Sequence, residues 1–139
     1  MAETVRGTRL RELLRSDRGA AAVEFALVVP VLLLLVFGIA EFGRAYNIQT
    51  TLSGAAREGA RTMALQNDAG AASAATVDAA RPISLSADQV SVSPTSCPVT
   101  NTTATDTVRV TVTYQMAYAT SLFGSSLRLT GTGVMRCNG

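Results

Sequence analysis

Residues Arg18 to Phe42 read RGAAAVEFALVVPVLLLLVFGIAEF, and but for Glu24 the run is apolar enough to sit in a bilayer. About 20 such residues cross a membrane as a helix, so the length suffices. At the bilayer centre an acidic side chain costs roughly 2.5–3.5 kcal/mol on insertion scales. Glu24, five residues beyond Gly19, therefore asks for a reason. Pro30 is a second irregularity, since it removes one backbone donor and crowds the carbonyl of Ala26. Such a proline is easier to hold in a packed bundle, where neighbours re-satisfy the freed group, than in a lone anchor.

On the N-terminal side, Arg6, Arg9, Arg11, Arg15 and Arg18 face only Glu3, Glu12 and Asp17. Beyond Phe42 the charges are sparse and mixed. Arg-rich flanks resist translocation, so the reading places the N-terminus in the cytoplasm and the remainder outside.

On the C-terminal side, helical patterning continues past the apolar run. In YNIQTTLSGAAREGARTMAL, from Tyr46, the residues Ile48, Leu52, Ala55, Gly59 and Met63 recur at spacings of four and three. That is the stripe of an amphipathic helix. Arg57, Glu58 and Arg61 fall off the stripe, as a solvated face or a subunit contact, and Glu58 can pair with Arg61. Gly54 and Gly59 each weaken a helix by about 1 kcal/mol, which suggests close neighbours at both. One helix is expected from about Ala20 to Leu65. Asn67-Asp68 and Gly70 mark a break, and Ala71–Ala80 reads as a short second helix ending before Pro82.

The rest reads as strands. Short alternation surrounds Val90 and Val92. In TDTVRVTVTYQMAY the set Val108, Val110, Val112, Tyr114, Met116 and Tyr118 shares one face, against Arg109, Thr111, Thr113 and Gln115 on the other. LRLTGTGVMRC, from Leu127, closes the sheet after a connection carrying Leu122-Phe123. Three strands with one apolar face need a cover, and the outer half of the long helix has the matching stripe. The expected fold is α+β, a long transmembrane and amphipathic helix packed on a small antiparallel sheet of about three strands. Its parts are a basic leader (1–19), the membrane half of the helix (20–42), the outer helix with a short second helix or linker (43–81), and an extracytoplasmic β domain (82–139).

Cys97 and Cys137 lie far apart in sequence, in no metal-type spacing. On the outer side of a membrane they fit one disulfide, the alternative being two buried thiols. The chain has no His and no Lys. It shows no nucleophile beside a base, no clustered carboxylates and no phosphate-binding glycine loop, so no catalytic residues, cofactor or metal are expected. The basic cluster is confined to the leader, which argues against nucleic acid as a partner. The triplet Asn101-Thr102-Thr103 matches a glycosylation pattern that a Thr-rich loop produces by chance.

A basic leader, a glycine, then an apolar helix with a glutamate at its fifth position resembles the processing signal of type IV pilin-like proteins. More narrowly, RGAAAVEFALVVPVLLLLVFGIAEFGRAYNIQTTLSGAAREGAR resembles the TadE-like family, pseudopilins or minor pilins of the tight-adherence (Flp) pilus system. The likeness is close from Arg18 to about Arg61 and loose beyond, where LRLTGTGVMRC looks like the family's closing strand. It implies cleavage between Gly19 and Ala20 by a prepilin peptidase, with Glu24 serving recognition and assembly. The implied partners are that peptidase, other pilin or pseudopilin subunits and the assembly platform in the membrane, with no small-molecule substrate. The implied setting is the cytoplasmic membrane, spanned once, in support of adhesion and surface colonisation. Chemistry fits this implication. Cleavage would leave an ammonium on Ala20, and Glu24 of a neighbouring subunit could neutralise it, where a lone carboxylate would be penalised. Snorkelling of Glu24 to the nearby headgroups is the bland alternative. A competing reading is an ordinary secreted or signal-anchored binding domain. Phe37–Ala40 (FGIA) offers small residues suited to signal peptidase, with the cut before Glu41.

Overall fold

A computed structural model describes residues 17–98, 106–120 and 124–137. The leader up to residue 16, the Asn101 triplet and Leu122-Phe123 lie outside them. Helix α1 runs Asp17–Gln66 and carries through Pro30. It ends where Asn67 takes a left-handed backbone, φ 51°. Helix α2 follows at Ala69–Ala79, with Asp68 as its N-cap. The Asp68 side chain accepts from the amides of Gly70 and Ala71, which satisfies donors the first turn would leave bare. A single 3₁₀ turn at Ala87–Gln89 leads into β1 (Val90–Ser93), then β2 (Thr107–Ala117) and β3 (Ser126–Arg136).

The strands form an antiparallel meander in the order β1-β2-β3. Val90 pairs with Val112 on one side of β2, and Val110 with Gly133 on the other. The α+β expectation stands: the outer half of α1 covers an antiparallel sheet of three strands.

The chain divides into two compact units at Ala40/Glu41. In the first, the apolar residues from Val23 to Ile39 leave most of their side chains exposed. A helix of this length and apolarity can span a membrane. In the second, Leu52, Ala55, Ala56, Ala60 and Met63 of α1 are buried with Val108, Val110, Val112 and Met116 of β2. Full burial of each Val, Leu or Met side chain is worth about 1.5–3 kcal/mol.

Small residues set how closely the layers approach. A Cβ on Gly131 would run into the backbone of Leu52, and one on Gly133 into Ala56 and Arg57. Gly59 lies against Thr76 and the Ala72 carbonyl of α2. Gly54 departs from expectation, because nothing lies within 4 Å of where its Cβ would stand.

Cys97 and Cys137 are bonded, their Cα atoms 5.5 Å apart. At a sequence separation of 40, the crosslink removes roughly 4 kcal/mol of unfolded-state entropy in the chain-entropy account.

Candidate functional site

The scissile bond anticipated at Gly19-Ala20 lies within helical backbone, two residues past the start of α1. Both residues are exposed, and nothing among the described residues outside the local helix packs against Gly19. Glu24 is exposed on the same helix, beside Phe25 and with Ala21 and Val28 one turn to either side. Among the described residues no ion pair reaches it. Gly19, Ala20 and Glu24 thus share one short, uncovered stretch of α1, with an apolar face around the carboxylate.

A second acidic residue plays a different part. Glu41 closes the apolar run and is only 6 % exposed. Its Oε1 accepts the amides of Ala119 (2.6 Å) and Thr120 (3.3 Å), beyond the end of β2. Glu41 Oε2 and the Thr120 hydroxyl are buried with no partner among the described residues. One turn on, Arg44 Nη1 donates to the Ala117 carbonyl at 3.3 Å. Another turn on, Gln49 Nε2 donates to the Thr130 carbonyl at 2.7 Å. A ladder of polar side chains spaced along α1 thereby ties the helix to the end of β2 and to the middle of β3. At the far end of α1, the Asn67 amide exchanges hydrogen bonds with the backbone of Cys97 in both directions.

The sequence drew attention to Gly19, Ala20 and Glu24 but not to the polar ladder. Glu41 carried a usable signal: an acid ending an apolar run must find donors or face water. Arg57 remains exposed, and Arg61 stands 4.0 Å from Glu58 with both side chains more than half exposed. A pair so placed adds little stability.

Comparison with known proteins bears on this stretch. Residues 19–61 match the TadE-like protein family. The TadE-like match runs from Gly19, through Glu24, the apolar half of α1, Glu41, Arg44 and Gln49, to Arg61. It therefore takes in both the uncovered stretch and most of the part of α1 that covers the sheet. No curated protein and no solved structure matches the chain.

Proposed function

We propose that this protein is a pseudopilin or minor pilin, stored in the membrane and used in building or initiating a tight-adherence pilus. The observation that carries the reading is the coincidence of the TadE-like match with a bare apolar helix bearing Glu24 near its start. In this reading a prepilin peptidase cuts between Gly19 and Ala20. The new Ala20 ammonium pairs with Glu24 of an adjacent subunit, and the carboxylate's cost in lipid falls when that partner arrives. The leader stays in the cytoplasm, the unit from Glu41 onward faces outward, and the chain acts as substrate and subunit rather than catalyst.

The test is the mass of the N-terminal peptide from membrane-extracted protein, for the parent and for Glu24→Ala. A start at Ala20 is expected. Glu24→Ala protein that is still cut but absent from sheared surface filaments would support the pairing role. The competing reading draws on the boundary at Ala40/Glu41, which coincides with the signal-peptidase site suggested by Phe37–Ala40. A start at Glu41 would establish that secreted domain and overturn the pilin reading.

A further inference from the structure

In the unit beginning at Glu41, the described large hydrophobics that remain exposed are Phe42, Tyr46, Leu65, Val134 and Met135. All five belong to α1 or β3. Phe42 and Tyr46 adjoin the apolar half of α1, where aromatic rings suit a membrane interface. Leu65, Val134 and Met135 have no such account. Leu65 and Met135 border a groove of about 460 Å³ lined also by Arg61, Ala64 and Arg136. Leu65 is 64 % and Met135 39 % exposed. Apolar surface left open and rimmed by polar groups marks an interaction site more often than chance exposure does.

The groove runs beside an unpaired strand edge. β3 pairs with β2 on one side and with no strand among the described residues on the other. Its register with β2 is continuous over all 11 residues, without a bulge or proline to blunt the edge. Near its middle, Gln49 takes up the Thr130 carbonyl. From Gly131 to Arg136 no side chain of the described residues does the same. Such an edge is a template for pairing with another chain.

Charge says what that chain would carry. Arg61 of α1 and Arg136 of β3 both line the groove, and no acid is among its described lining residues. Arg109, which faces Val134 across the strand pair, is one diagonal step from Arg136. Glu58 lies 4.0 Å from Arg61 and is well exposed, and Asp106, whose carbonyl accepts the Cys137 amide, stands beside the Thr107–Arg136 pair at the start of β2. Asp68, Asp78 and Asp88 lie instead on α2, its cap and the turn before β1.

We propose that the Gly131–Arg136 edge of β3 docks an extended, acidic segment of another protein, which adds as a fourth strand. One of its apolar side chains enters the groove between Leu65 and Met135, and its carboxylates meet Arg61 and Arg136. Backbone pairing supplies affinity, the groove and the arginines supply selectivity, and guanidinium–carboxylate pairs are strong where they can be bidentate. The site lies wholly in the outer unit, so it stands whether or not the pilus reading does.

The test uses the full chain in detergent micelles and a fluorescein-labelled ten-residue peptide of alternating Asp and Val, read by anisotropy. A Lys-Val peptide of the same length is the charge control. Two Asp-Val peptides, N-methylated along one backbone edge or the other, are the strand controls. The Asp-Val peptide is expected to bind at least about tenfold tighter than the Lys-Val peptide. One N-methylated form should lose binding. The double variant Arg61→Glu with Arg136→Glu should weaken binding by about tenfold or more, with an unchanged circular dichroism spectrum. Equal binding of the Asp-Val and Lys-Val peptides would overturn the proposal, as would indifference to both N-methylation patterns or to the double variant. Concentration-dependent self-association abolished by Arg136→Glu would overturn it in favour of a second copy as the occupant.

Discussion

At the scale of single residues, Glu24 and Glu41 show how one side-chain type serves opposite ends. Glu24 is exposed on an apolar helix and meets no ion-pair partner among the described residues. Glu41 is buried and already engaged with the amides of Ala119 and Thr120. Removing its carboxylate strips both amides of their acceptor, and hydrogen bonds to a charged group are worth about 1.5–3 kcal/mol each. Glu41→Ala should therefore lower the thermal midpoint of the detergent-solubilised chain. Glu41→Gln, which keeps an acceptor in place, should lower it by clearly less, as followed by circular dichroism. Gly59 offers a second contrast, because a Cβ there would meet the Thr76 hydroxyl and the Ala72 carbonyl. Gly59→Ala should cost about 1–3 kcal/mol through overpacking. Adding Thr76→Ala should recover part of that loss, whereas independent effects would simply add.

At the scale of elements, the spacing of Ile48, Leu52, Ala55, Gly59 and Met63 was enough to identify the covering face of α1, because the 3.6-residue period leaves few alternatives. The alternation from Val108 to Met116 likewise exposed the inner face of β2. The contact between these elements was harder to read. Gly131 and Gly133 look like weak points in a strand, yet they let the helix backbone approach. Nothing local in LRLTGTGVMRC says which backbone will approach. Gly54 misled for the converse reason, since a helical glycine looks the same with or without a neighbour. These two kinds of glycine should respond oppositely. Gly54→Ala should stabilise the helix by up to about 1 kcal/mol. Gly133→Val should push α1 off β3 and make the outer unit sensitive to protease under native conditions. Equal resistance of the Gly133→Val and parent proteins in a timed digest would show that the seam can yield.

At the scale of the whole molecule, the two units differ in surface: the first exposes an apolar helix long enough to span a membrane, and the second buries its apolar side chains in a core. The sequence could announce that division, since composition changes abruptly after Phe42. It could not supply the ladder of Glu41, Arg44 and Gln49, whose partners lie more than 70 residues away. The disulfide works at this scale too. Reduction, or Cys97→Ser with Cys137→Ser, should cost about 4 kcal/mol by the chain-entropy account, measurable as a lower denaturant midpoint of the outer unit. Finally, consider how the seam would behave under load. Gln49 meets Thr130, Leu52 meets Gly131 and Ala56 meets Gly133, so α1 and β3 advance in the same direction. Tension applied through the helix would slide these contacts past one another in shear rather than peel them apart in turn. Shear loads every rung at once, so traction along the chain meets the seam in its mechanically stiffest direction.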